Sequence, residues 1–194
     1  MKIVALGDSL TYGYGVRRNK TWTAIVSSSL NIDVINKGVN GDTTSGMLAR
    51  FNSDVLEEHP DILLVTGGTN DIIFSSSFST AKNTIVSIVY QAFSHRITPI
   101  IGLPLPVCPA SVPAIWTQSV DFTAVSETLA EYIKWLQWAS DIMGNETIDF
   151  YHLFLEDSLS SGALFTDGLH PSEQGHALMA DAVIKLIRKK YDLY

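Results

Sequence analysis

Cysteine occurs once in the 194 residues, Lys and Arg number 13 against 20 Asp and Glu, and no apolar run is long enough to span a bilayer. Each shortage excludes something. Cys108 has no partner for an internal disulfide, and the prolines around it carry no metal-ligand spacing, so it reads as a half-buried loop thiol. A net charge of −7 argues against nucleic acid or an anionic membrane surface as the main partner. Stable membrane insertion is not expected either. Gly7 follows too closely on Met1 for the apolar region of a signal peptide, which sets the expectation of a cytoplasmic protein. The one basic cluster, Arg188-Lys189-Lys190, falls where cations suit the end of a helix. Repeats, low-complexity tracts and linkers are missing, so the expectation is one domain over residues 1–194.

What is present is a large core. Apolar residues make up 46% of the chain and charged ones 17%, and this length buries enough surface to fold without disulfides or structural metal. Short β-rich apolar runs alternate with longer helical patterns, the signature of βαβ units and a parallel sheet. The predicted strands are Ile3–Leu6, Ile32–Ile35, Ile62–Thr66, Thr98–Leu103 and Thr147–Phe150. Three are continuous in Val, Ile and Leu, as in strands covered on both faces. Helices are predicted at Trp22–Leu30, Ser45–Glu57, Ala81–His95, Val120–Ile142 and Ser172–Lys190. Ile85, Ile88, Val89 and Ala92 form one helical stripe; Phe122, Val125, Leu129, Ile133 and Leu136 form another. In the last helix Leu178, Ala182, Val183, Leu186 and Ile187 are expected to face inward. Leu103–Trp116 holds four of the seven prolines, a density that predicts a stiff loop without helix. It is either a surface connector or one wall of a pocket.

Ser9, in Gly7-Asp8-Ser9-Leu10-Thr11, leaves the first strand at its carboxyl end, where open α/β sheets bind ligands. A serine hydroxyl is a poor nucleophile without a base and an oxyanion stabiliser. Asp167-Gly168-Leu169-His170-Pro171 offers the base, with a carboxylate three residues before an imidazole and able to fix its tautomer. His59, His95, His152 and His176 read as solvated, capping or structural; His152 in particular is read as lacking a carboxylate at similar spacing. Gly41 in Asn40-Gly41-Asp42 follows the second strand, and Asn70 in Gly67-Gly68-Thr69-Asn70-Asp71 follows the third. A free Gly41 N–H and the Asn70 side-chain amide would both suit a developing oxyanion. Each motif alone also describes an ordinary turn or cap. Their joint placement along one sheet edge does not.

At these residues the chain resembles the GDSL or SGNH hydrolases. Gly7-Asp8-Ser9-Leu10, Gly41, Gly68-Thr69-Asn70-Asp71 and Asp167-Gly168-Leu169-His170-Pro171 match the family's four blocks and span nearly the whole chain. The resemblance implies a flavodoxin-like three-layer α/β/α fold with a five-stranded parallel sheet. It implies Ser9 as nucleophile, His170 as base and Asp167 as its orienting acid. It also implies an oxyanion hole of the Ser9 and Gly41 N–H groups and the Asn70 amide, with no metal or organic cofactor. No Gly-x-Ser-x-Gly elbow surrounds Ser9, which disfavours the lid-bearing α/β-hydrolase fold.

The expected partner is a small-molecule ester, hydrolysed through an acyl-enzyme. The Leu103–Trp116 segment and Ile72-Ile73-Phe74 suggest an apolar acyl pocket and short to medium chains, although Ile72–Phe74 could equally pack on the core. Thioesters and lysophospholipids fall within the same reading. A carbohydrate O-acetyl esterase is the alternative, with Trp22 and Trp116 as candidate sugar platforms. A non-catalytic nucleotide- or phosphate-binding domain would use Gly7–Thr11 as an anion turn, but no lysine-bearing glycine motif supports it and Asp8 would repel phosphate.

Overall fold

In the computed structural model, described here over residues 1–192, apolar runs become a sheet whose three central strands are almost wholly buried, while its two edge strands are only partly so. The strands are β1 (Lys2–Gly7), β2 (Asp33–Gly38), β3 (Ile62–Thr66), β4 (Thr98–Leu103) and β5 (Glu146–Asp149). All pair in parallel, in the order β2-β1-β3-β4-β5, which is the flavodoxin-like arrangement. The helices are α1 (Ser9–Tyr12), α2 (Trp22–Leu30), α3 (Thr44–Ala49), α4 (Phe51–Asp54), α5 (Thr69–Ser75) and α6 (Ser79–Ser94). After β4 come α7 (Ala114–Thr117), α8 (Phe122–Met143), α9 (Phe150–Ser160) and α10 (Glu173–Tyr191).

Strand residues alternate between two cores. Val4, Leu6, Leu63, Val65 and Ile101 meet Met47, Ile85, Ile88, Leu129 and Ile133 on one face. Ile3, Ala5, Ile62, Leu64 and Ile100 meet Trp22, Val26, Phe154, Met179 and Val183 on the other. Apolar residues at both parities therefore encode a sheet sandwiched between helix layers. The two predicted stripes on α6 and α8 are buried throughout; in α10, Val183 and Ile187 are buried while Leu178, Ala182 and Leu186 are only partly so. No helix among the described residues is long and apolar enough to cross a membrane.

Four expectations need correcting. The predicted Ser45–Glu57 helix is broken into α3, α4 and a 3-10 turn at Leu56–Glu58, with the break at Arg50 (φ −102°, ψ 10°). Phe150 leaves β5 and opens α9, an unpredicted helix; its aromatic and leucine-rich start reads as strand, but Asp149 accepts the His152 N–H and caps it as helix. The proline segment is not free of helix: it holds a 3-10 turn at Pro109–Ser111 and then α7, directly behind Pro113. Proline is costly inside a helix but harmless at its start, where the N–H has no intrahelical acceptor. Cys108 is buried, packed into the core with its N–H donating to the Gly168 carbonyl at 2.8 Å.

Candidate active site

The carboxyl ends of β2, β1 and β3 lie side by side, so the turns that follow them converge. Ser9 is the first residue of α1, whose Leu10 N–H is capped by Asp8 Oδ1 at 2.9 Å. The Ser9 N–H has no intrahelical acceptor at that position. Trp22, fully buried in the core, donates its indole N–H to the Leu10 carbonyl at 3.2 Å and seats this turn. Trp22 is thus no sugar platform.

Ser9 Oγ stands 3.0 Å from His170 Nε2, and His170 Nδ1–H donates to Asp167 Oδ2 at 2.8 Å. Asp167 Oδ1 accepts two backbone N–H groups, from Leu169 at 3.1 Å and His170 at 2.8 Å. Burial would raise the Asp167 carboxyl. The ring and backbone hydrogen bonds from His170 outweigh it and hold Asp167 below the usual carboxylate range. The ring therefore carries its proton on Nδ1 and turns the Nε2 lone pair to the hydroxyl.

Gly41 takes φ +75°, a conformation costly for residues with a Cβ, and nothing lies within 4 Å of where a Cβ would project. Asn70 Nδ2 donates to the Asp42 carbonyl at 2.9 Å. That acceptor fixes which end of the amide carries nitrogen and leaves the second N–H for the cleft. Asp71 accepts both the N–H and the hydroxyl of Thr44, at 2.9 and 2.7 Å, and so ties α5 to the start of α3.

A cleft of about 440 Å³ opens over Ser9, His170, Gly41 and Asn70. Its apolar wall is Ile73, Ile115, Trp116, Val120, Phe122 and Leu169. The proline segment does reach the pocket, through Ile115 and Trp116. Ile72–Phe74 divides its duties: Ile72 is core, Ile73 lines the cleft and Phe74 is exposed. Sequence reasoning missed Tyr14, whose ring lies 4.5 Å from the His170 ring; Trp116 approaches it edge-on at 6.2 Å. Nothing in the local sequence marks Tyr14, because its partner lies across the fold.

The other histidines take structural roles. His95 sits at the end of α6 with its ring on the Gln91 carbonyl, and His59 closes the turn after Glu58. His176 is buried and its Nδ1 accepts the Trp22 backbone N–H; burial lowers its pKa to about 4. His152 corrects the sequence reading. Asp149 Oδ2 lies 2.7 Å from its Nδ1, at the same three-residue spacing as Asp167 and His170, but the pair is exposed.

Asp8 is buried beside Ser9, and its Oδ2 finds no hydrogen-bond partner among the described residues. Burial pushes its pKa up to about 7, against the Leu10 N–H and His170, with Asp42 and Asp71 adding repulsion. An acid whose folded pKa is raised holds its proton where the unfolded chain has lost it. Stability then falls as pH rises from about 4 to about 7. Asp8→Asn is expected to remove that slope, a difference on the order of a few kcal/mol. Urea unfolding of both proteins at the two ends of this window checks it. The opposing titration of His176 is common to both and cancels; parallel pH profiles would contradict the assignment.

Comparisons with known proteins bear on the family and the fold. The GDSL-like lipase/acylhydrolase family model matches residues 5–178. An arylesterase of Vibrio mimicus is 26% identical, over 97% of this chain and 88% of its own length. A solved member of the lipolytic G-D-S-L family from Veillonella parvula superposes with a TM-score of 0.84 at 25% identity, covering 97% of this chain and 99% of that one. The Bacillus subtilis protein YqeF, named as an uncharacterised lipoprotein, is 29% identical over 54% of this chain, and the match spans only 49% of that protein. With the matched family model running from β1 into α10, the chain belongs to the GDSL-like lipase/acylhydrolase family, a family of ester-bond hydrolases.

Proposed function

We propose that the protein is a serine esterase that forms an acyl-enzyme on Ser9 and favours small-molecule esters of short to medium acyl chain. The observation that carries this reading is the hydrogen-bonded line from Ser9 through His170 to Asp167 at the floor of an apolar cleft. In the first step the Ser9 O–H bond breaks, its proton passes to His170 Nε2, and Oγ bonds to the acyl carbon. The carbonyl electrons move onto oxygen, facing the N–H groups of Ser9 and Gly41 and the free N–H of Asn70. Collapse breaks the bond to the alkoxy oxygen, which leaves as alcohol with the proton from Nε2. Water then takes the alcohol's place and releases the acid.

The chain-length preference follows from the cleft. Ile73, Val120 and Phe122 are suited to a few methylenes, each worth about 0.8 kcal/mol when buried. A cleft of about 440 Å³ shared between acyl and alcohol groups buries a short or medium chain whole and would leave the far end of a long one outside its apolar wall. Hydrolysis of p-nitrophenyl esters from acetate to palmitate tests it. The expected kcat/KM peaks near butyrate to octanoate. Activity confined to acetate would favour a carbohydrate O-acetyl esterase, and a maximum at palmitate would contradict the cleft assignment.

A further inference from the structure

Arg50 sits at the break between α3 and α4, away from the cleft lining, yet its guanidinium gathers the supports of the whole oxyanion region. Nε donates to Asp42 Oδ2 at 2.8 Å, Nη1 to the Lys37 carbonyl at 2.8 Å and to Asp54, and Nη2 to the Gly7 carbonyl at 2.9 Å. Gly7 is the last residue of β1 and lies two residues before Ser9. Lys37 is in the paired strand β2, one residue from the register partner of Gly7. Asp42 follows Gly41, and its carbonyl is the acceptor that orients Asn70. Each of the three candidate oxyanion donors is thus within two residues, or one hydrogen bond, of a group that Arg50 holds.

This tether matters because packing does little there. Val39, Asn40 and Gly41 are exposed, and Gly41 has open space around it. By contrast the Arg50 and Asp42 side chains are only 18% and 12% exposed. A Cβ on Gly46 would fall 1.9 Å from Asp42 Oδ1, so the absence of a side chain at 46 is what lets the carboxylate lie against α3 and meet Arg50. Only a planar fork with donors on three nitrogens can bridge two strand ends and a carboxylate together; an ammonium at the same place cannot.

We infer that Arg50, acting through Asp42, is a positioning residue that sets the spacing of the Ser9, Gly41 and Asn70 donors. The inference rests on the oxyanion assignment proposed above. Its test uses Arg50→Lys, Asp42→Ala and the double variant, with Ser9→Ala alongside. Fluorophosphonate titration counts competent sites, and kcat is expressed per titrated site on p-nitrophenyl butyrate. The expected loss in kcat is about 10–100-fold for either single variant, the scale of a small misplacement of reacting groups. KM should stay within about threefold, as for an interaction made in the transition state. The double variant should lose little more than the worse single one, because both cut the same tether.

Wild-type kcat per titrated site in a folded variant, or losses that multiply in the double variant, would overturn the inference. If Arg50→Lys does not fold, Asp42→Ala decides alone by the same readout. A Ser9→Ala enzyme as active as wild type would instead bring down the site assignment and this inference with it. An inactive Ser9→Ala beside unaltered Arg50 and Asp42 variants would bring down the inference only.

Discussion

Replacing Ser9 with alanine is expected to abolish ester hydrolysis, with a loss in kcat on the order of 10⁶-fold, while the protein stays folded. The size of the loss follows from the chemistry. Without Oγ no acyl-enzyme forms, and the remaining groups can only polarise a carbonyl toward water. The effect on stability should be small. The side chain contributes a hydrogen bond to His170 Nε2, worth about 1 kcal/mol, and the methyl group fits where Cβ already sits. Steady-state kinetics on p-nitrophenyl butyrate measures the first part and thermal unfolding the second. A fluorophosphonate should label the wild-type protein once, and peptide mass mapping should place the adduct on Ser9. An adduct on any other serine, or a Ser9→Ala enzyme within tenfold of wild type, would refute the proposed mechanism.

Asp167→Asn is expected to cost about 10⁴-fold in kcat although it removes no atom beyond swapping oxygen for nitrogen. The reason lies in how the two carboxylate oxygens are used. Oδ1 accepts the Leu169 and His170 N–H groups, and Oδ2 accepts from His170 Nδ1. In asparagine the remaining oxygen must serve the two backbone donors, which turns the NH₂ group toward Nδ1. That nitrogen then becomes the acceptor, and the ring proton moves to Nε2, facing Ser9 Oγ. A base with its proton already in place cannot take another. Nitrogen NMR of the His170 ring should show protonation exchanged between Nδ1 and Nε2 relative to wild type. Unchanged turnover with the exchanged tautomer would show that His170 does not act as the base.

Which features were legible in the chain depends on the range of the interaction that creates them. The buried stripes of α6 and α8 are helical repeats within one segment, so they could be read directly. The Asp167–His170 pair is also local, three residues apart on one turn. By contrast, the break at Arg50 is invisible in the apolar pattern, and the acceptors its side chain meets there lie far along the chain, on β1, β2 and the Gly41 loop. Helix α9 was hidden by residues that favour strands until a cap at Asp149 decided otherwise. Tyr14 on His170 depends on a contact between the two ends of the chain.

The sequence by itself determined the residue types, their order and their secondary-structure settings: a serine at the start of α1, a glycine and an asparagine after the next two strands, and an Asp–His pair before α10. The Asp167-Gly168-Leu169-His170-Pro171 motif already pointed to one pair, but a second pair of the same spacing went unrecognised. Asp149–His152 and Asp167–His170 have the same spacing and nearly the same hydrogen bond, at 2.7 and 2.8 Å. The tertiary structure shows how their surroundings differ. The His152 side chain is 54% exposed, whereas that of His170 is 9% exposed and meets a hydroxyl 161 residues away. Parallel pairing of β1 between β2 and β3 brings Ser9, Gly41 and Asn70 to one edge of the sheet. Burial in that edge then fixes one imidazole against the Ser9 hydroxyl and leaves the other in solvent.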